Sequence, residues 1–438
     1  MKAVGKSLLA LLMLWLPLRG LTLDEAYSIS VEKNLPLKME NEKLAESKAA
    51  AKEVLTNFLP SVSAKASYTR LGKVPEVEFP TPMGNMSLKM GQEDNYNIQL
   101  TAQQLIFSGG QLLFGYRAAL SGKRAQEFSV EQARRKLYIN VAKAFYGVVQ
   151  ADSFYAATRI ADRQMEEHLT NIHSMYEQGM LTENELLKAE VQLSGVETMI
   201  QQAITAQKLA RMNLLNTLGL PLDTTIFLEW MPRKPDDIDV NLDKDIETAL
   251  TQRADILSIE QGVRALKNAL RATYGTFLPN IVLIGNYSYK RPNEKLEPEF
   301  YDTYDATLAA SMDVFLWGKR IQQIKEKKAQ LNQAELGLEM AKRGVQMELT
   351  AAARNLEEKK VALDISAKKL KAASDGYEVT KSMFRSGAAT NSDLLDTQSD
   401  LTQTHLEHIK ALFDYEMAQL NYKLSAGEKL FSKEGQNE

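Results

Sequence analysis

Between Ser61 and Leu71 apolar and polar residues alternate: Val62, Ala64, Ala66 and Tyr68 stand against Ser61, Ser63, Lys65, Ser67 and Thr69. The same pattern runs through Tyr96–Phe107, where Tyr96, Ile98, Leu100 and Ala102 alternate with Asn97, Gln99, Thr101 and Gln103. A period of two places successive side chains on opposite sides of an extended chain, so each stretch predicts a strand with one wet and one apolar face. Asn280–Lys290 and Asp302–Phe315 form a second pair with weaker alternation. Elsewhere the period lengthens. Leu137, Val141, Phe145 and Val148 recur at three- and four-residue spacing. From Val345 through Leu349, Ala352, Leu356, Leu363, Leu370 and Tyr377 the steps alternate four and three, interrupted at Lys359 and Ser366, which is coiled-coil register. No proline lies between Pro82 and Pro221 or after Pro298, so nothing of that kind breaks a helix there. The pattern predicts helices from Gly110 to about Gln178 and from Gly318 to about Ser386, each roughly 100 Å long at 1.5 Å per residue.

These elements recur. Leu23-Asp24 and the "FLP" at Phe58–Pro60 reappear at Leu242-Asp243 and Phe277–Pro279, 219 positions later. Farther on the offset becomes 208: Ile106-Phe107 with Gly110 matches Val314-Phe315 with Gly318. At that same 208, Met175, Gly179, Thr182, Leu186, Leu187 and Leu193 fall on Met383, Gly387, Thr390, Leu394, Leu395 and Leu401. The 11-residue change falls between Pro60 and Phe107, so one loop is longer in the first copy. Such self-similarity marks an internal duplication. Each copy reads as a helix of about 35 residues (Leu23–Asn57; Leu242–Thr276), two strands around a loop, the very long helix, a glycine break and a return helix ending near Asn216 or Ala426. The expected boundaries are 1–20 for a leader, 21–216 and 242–427 for the two repeats, 217–241 for a linker and 428–438 for a tail.

Composition changes the picture at three points. Lys2 and Lys6 followed by "LLALLMLWLPL" read as a secretory signal peptide. Its removal with Arg19 shifts the net charge from −3 to near −6, which offers nothing to nucleic acid. No later segment has the 18 uninterrupted apolar residues of a membrane-spanning helix. The chain has no cysteine, which excludes both a disulfide framework and lipidation of a cysteine thiol.

The strand lengths suit tilted membrane strands, and the aromatics fall in two bands. Tyr68 and Tyr96 flank the first loop, and Tyr287, Tyr289, Phe300, Tyr301 and Tyr304 the second, while Phe58, Phe107, Phe277 and Phe315 mark the opposite ends. Such bands resemble the girdles of outer-membrane barrels. Four strands cannot enclose water, and unpaired strand edges are intolerable in lipid. Several chains must contribute, and three would supply an even twelve strands.

With "LTLDEA" after the leader, the two "FLP" entries, "IFSGGQ" and "VFLWGKR" at the strand-to-helix returns, and two glycine-centred turns, the chain resembles the TolC-type outer membrane efflux proteins over Leu21–Ala426. The resemblance implies a mixed α+β membrane protein: a long antiparallel α-helical barrel continuous with a transmembrane β-barrel shared by three chains, four strands each. It implies a homotrimeric exit duct in the outer membrane of a Gram-negative bacterium, reaching into the periplasm and serving an inner-membrane pump through a periplasmic adaptor, in efflux or type I secretion. The linker and tail become an equatorial belt. Gly179, Met180 and Leu181 with Gly387, Ala388 and Ala389 become adaptor-docking tips, and Asp393 and Asp396 with Glu185 a pore constriction. Independently of any family, Asp393, Asp396 and Asp400 share a helix face. Threefold symmetry would gather the first two into a ring of coupled, cation-favouring carboxylates. Phe384 replaces a tyrosine often found near the gate, and Ala389 an arginine that can latch neighbouring hairpins, so a latch of that type cannot be carried over.

Two other classes compete. His168, His173, His405 and His408 lie on predicted helices, His405 and His408 three apart, and no cysteine or matching site in the other copy makes a metal centre of them. "GKS" at Gly5–Ser7 lacks the preceding glycine of a phosphate loop. Neither an enzyme nor a cofactor is expected. A soluble periplasmic coiled-coil adaptor or scaffold explains the helices equally well, but not four alternating strands with aromatic bands.

Overall fold

The computed structural model describes residues 20–230 and 238–428. The leader up to residue 19, part of the linker and all but the first residue of the tail lie outside the described residues. The chain divides into two compact units, one of residues 1–41, 129–256 and 340–438, the other of residues 42–128 and 257–339.

The second unit holds the β-structure. The strands β1 (Ser61–Arg70), β4 (Asp94–Ser108), β5 (Asn280–Arg291) and β6 (Tyr301–Ser311) form one antiparallel sheet in the order β1-β4-β5-β6. Its register sorts the side chains by face. Val62, Ala64, Ala66 and Tyr68 pair with Ala102, Leu100, Ile98 and Tyr96. These continue through Gly285, Tyr287 and Tyr289 to Ala306, Tyr304 and Asp302. The opposite face is polar and joined across strands: Gln99 and Thr101 donate to Asn286 Oδ1 at 3.2 and 2.9 Å, and Asn286 Nδ2 donates to Asp305 at 3.0 Å. The alternation in the sequence is therefore a division between a hydrogen-bonded face and an apolar one. The glycines of "IFSGGQ" and "YGTFLP" are needed for close approach, because a Cβ on Gly109 would lie 2.3 Å from the Gly275 carbonyl oxygen.

Two elements here differ from expectation. The longer loop of the first copy is a hairpin, β2 (Glu76–Thr81) with β3 (Gly84–Lys89), hidden in the sequence because Pro80 and Pro82 interrupt its alternation. The strand expected to run to Phe315 ends at Ser311, opposite Asn280. Pro279 precedes Asn280 and has no N–H to extend the ladder. Phe315 lies beyond the strand, edge-on to Trp317 with ring centroids 5.0 Å apart.

The first unit is helical. The long helices α3 (Gln111–Glu177) and α7 (Lys319–Arg385) each contribute to both units, and α4 (Glu183–Leu218) and α8 (Asn391–Ser425) return from their ends. Leu137, Val141, Phe145 and Val148 are buried, as are Val345, Leu349, Leu356 and Tyr377, so the three-four spacing does face packed neighbours. On the opposite side of α7 a second apolar row, Met340, Met347, Val361, Ile365, Val379 and Met383, stays exposed in the single chain. At 3.6 residues per turn these six fall within about 60° of one another.

The opening helix of each copy is broken in two: α1 (Leu23–Lys33) with α2 (Leu35–Thr56), and α5 (Leu242–Gln252) with α6 (Ala254–Tyr274). The breaks, Asn34 and Arg253, stand 219 apart and are both extended, with ψ of 121° and 129°. Each break residue donates to the end of its own return helix, Asn34 Nδ2 to Thr217 O at 3.4 Å and Arg253 Nη1 to Ser425 O at 3.3 Å. Breaking the helix frees a polar side chain to satisfy a terminal carbonyl that a continuous helix would leave without a partner.

Candidate functional site

The two glycine turns are built alike. At the end of α3, Gly179 adopts φ +72°; its N–H bonds Tyr176 O at 2.9 Å and that of Met180 bonds Met175 O at 2.9 Å. At the end of α7, Gly387 adopts φ +74°, with N–H bonds from Gly387 to Phe384 O at 3.0 Å and from Ala388 to Met383 O at 2.8 Å. Both are Schellman closures, which need a left-handed residue and therefore favour glycine. Thr182 and Thr390 start the return helices three residues later, which makes each hairpin tip very short. Met180 and Ala388 are exposed, while Leu181 and Ala389 are half-buried.

The acidic residues divide into three environments. Asp393 belongs to a capping box: Thr390 N–H and Oγ1 donate to its carboxylate at 2.9 and 2.6 Å, and its own N–H bonds Thr390 Oγ1 at 3.1 Å. The Thr390 hydroxyl, then the Thr390 amide, hold Asp393 below the usual carboxylate range. Glu185 occupies the corresponding position of α4, but there Thr182 makes no side-chain cap bond. Instead Glu185 accepts from Lys188 Nζ at 3.0 Å and from Asn391 Nδ2 at 3.0 Å, and the Lys188 bond leads in lowering its pKa. Asp396 is exposed, and no carboxylate bond to it is found among the described residues.

Asn391 links the hairpins. Only 2% exposed, it donates to Glu185 O at 3.1 Å as well as to the Glu185 carboxylate, and its Oδ1 lies 2.7 Å from His168 Nε2. Because both Glu185 atoms only accept, the amide nitrogen must face α4; Oδ1 then accepts, and His168 carries its proton on Nε2. Burial pushes the His168 imidazole below its ordinary value, partly opposed by the Asn391 bond. A turn deeper, Gln398 Nε2 donates to Gln164 Oε1 at 2.7 Å, above an apolar cluster of Ala161, Met165, Val196 and Leu395. Sequence reading missed this link. Position 391 minus the offset of 208 is Glu183, and His168 matches Gly376, so the repeat comparison carries no trace of it.

The aromatic residues of the sheet lie near its two ends. Tyr68 and Tyr96 are cross-strand partners with ring centroids 4.9 Å apart, and Tyr287 pairs with Tyr304 two residues deeper than Tyr289. Phe300 stacks on Tyr289 at 5.0 Å and 11°. Phe107 pairs with Ile281 at the other end, just past a bulge at Ile106. Tyr304 is 85% exposed, and Tyr68, Tyr287, Phe107 and Phe315 are exposed with it. Among the described residues no helix is long and apolar enough to cross a membrane, and no three His, Cys, Asp or Glu side chains gather as a metal site.

A four-stranded sheet with one apolar face, two very long helices and two closely matched hairpin tips make up the fold. The model of the outer membrane efflux protein family matches residues 27–220 and 246–428, and the chain belongs to that family. The outer membrane efflux protein BepC of Brucella suis is 20% identical over 407 residues, which cover 91% of this chain and 83% of BepC. The crystal structure of the outer membrane channel CmeC of Campylobacter jejuni superposes with a TM-score of 0.79 at 17% identity, over 92% of this chain and 85% of CmeC. The open-state structure of the outer membrane channel MtrE of Neisseria gonorrhoeae gives 0.75 at 18% identity, over 92% and 88%. The protein is thus an outer-membrane component of efflux in a Gram-negative cell, extending into the periplasm. The soluble adaptor alternative gives way to it.

Proposed function

We propose that three copies of this chain assemble into one exit duct that conducts passively what an inner-membrane pump delivers through a periplasmic adaptor. The observation that carries this reading is the sheet: its outer strands β1 and β6 each leave one edge unpaired among the described residues, and one of its faces is apolar. In lipid both edges must pair, and twelve strands from three chains close the ring with the apolar face outward. Tyr96 and Phe107 lie 11 residues apart on β4. That is about 36 Å along a strand, or about 25 Å of height at a 45° tilt, which is the apolar band of an outer-membrane barrel. The exposed row on α7 supplies the matching helical interface, which lengthens the passage as an antiparallel helical barrel.

At the periplasmic mouth, Gly179–Leu181 and Gly387–Ala389 are the surfaces offered to the adaptor. Asp396 is the carboxylate left open for an acidic ring, with Asp393 and Glu185 beside it but already engaged. The Asn391 link holds each chain's two hairpins together while the mouth is shut, in place of the arginine latch this sequence lacks. The direct test is planar-bilayer recording of the purified protein. Cation-preferring openings, rare in the parent and frequent when Asn391 is removed, are the expected result; membranes silent with both proteins overturn the reading.

A further inference from the structure

Beside the Asn391 link lies a cavity of about 360 Å³, walled by Gln164, His168 and Asn171 of α3 and by Tyr377, Lys381 and Arg385 of α7, with Phe384 and Gln398 completing it. That volume lies in the range of small-molecule sites. Its chemistry is lopsided. Lys381 Nζ sits 5.4 Å from the centroid of the Tyr377 ring, so a cation–π contact and no carboxylate holds it in place. Neither Lys381 nor Arg385 has an ion-pair partner among the described residues, and Glu167 is the single acid in the wall. Phe384 stands edge-on to His168 at 5.7 Å, giving the cavity a flat aromatic side.

We infer that this cavity is a binding site for a small aromatic monoanion, a carboxylate or sulfonate. Its charged group would meet Lys381 and Arg385 and its ring would lie against Phe384 and Tyr377. The inference rests on the reading of the tips as a gate and adds a ligand to it. Because the walls come from α3 of one hairpin and from α7 and α8 of the other, an occupant touches both. A ligand favours the state in which it makes more contact, so this one favours the closed mouth. By reciprocity, loosening the hairpins weakens its binding by the same factor.

Naphthalene-2-sulfonate is a suitable probe for the full-length, detergent-extracted protein. Calorimetry should find about one site per chain, and a Lys381→Gln/Arg385→Gln double variant should bind roughly tenfold or more weakly, the loss of charge-assisted hydrogen bonds. Asn391→Ala should also weaken binding, although it touches no cavity cation. In planar bilayers the probe should reduce openings of the parent channel and leave the double variant unaffected. Equal affinity in the double variant, or absence of binding at millimolar probe, overturns the site. Conductance without probe reports separately on the channel, so membranes silent with both the parent and Asn391→Ala would indict the proposed function, while a conducting channel indifferent to the probe would indict only the cavity.

Discussion

Replacing Asn391 with alanine should open the channel. The side chain makes three hydrogen bonds, to His168 Nε2, to Glu185 O and to the Glu185 carboxylate. A neutral hydrogen bond contributes about 1 kcal/mol net and one to a charged group about 1.5–3 kcal/mol. The Lys188 bond remains, so Glu185 stays partly satisfied, but the imidazole of His168 keeps an N–H with no acceptor beside it. The loss comes to about 3 kcal/mol, and at 1.4 kcal/mol per factor of ten that is roughly a hundredfold in the closed-to-open ratio. The assay is single-channel recording at fixed salt and voltage, with Asn391→Asp as a companion that restores an acceptor for His168 while repelling Glu185. Far-ultraviolet dichroism should be unchanged, because the Thr390 cap and the Schellman turn do not depend on the amide. If the alanine variant opened as rarely as the parent, the link would be packing and no gate.

Other outcomes follow from neighbouring residues. Asp396→Ala should reduce cation preference in reversal-potential measurements more than Glu185→Gln does, because the Glu185 charge is already offset by Lys188; equal effects would contradict that division. Burial lowers the His168 pKa, so the folded tip binds fewer protons than the unfolded chain. Its stability is therefore complete above the ordinary imidazole value near 6.5 and falls as pH drops below it. Openings should increase on acidification toward pH 5, and a His168→Gln variant, which keeps a donor, should lose most of that dependence. Met347→Asp with Ile365→Asp places two charges in the exposed row of α7, each replacing a side chain whose burial contributes about 1.5–3 kcal/mol. The variant should be recovered as single chains on native gels, and normal trimers would remove that row from the interface.

The sequence made the repeating architecture legible because the patterns involved are purely local. Alternation over Ser61–Leu71, the absence of proline across α3 and α7, and Gly-x-x-Thr at both tips each state their structure within a few residues. The first helix break was marked by Pro36, which is tolerated only in the first turn of a helix; the second was not visible, since Arg253 disrupts no periodicity, and both break residues act through bonds to residues about 180 positions away. The β2–β3 hairpin was obscured by prolines that usually argue against strands, and the end of β6 depended on where its partner ran out. At the tip, the acidic positions and the Thr390-x-x-Asp393 capping spacing could be read, but not the partners that come from other helices: the Asn391–His168 contact joins residues 223 apart. Contacts of that separation leave no spacing to detect.

The most direct measurement is the native mass of the detergent-extracted full-length protein, taken together with its behaviour in a planar lipid film. The account requires a species of three chains of about 49.1 kDa each, less any leader removed, that conducts ions without an energy source. A preparation that runs as one chain and leaves the film silent would contradict it, because four strands with two open edges cannot by themselves enclose water in lipid.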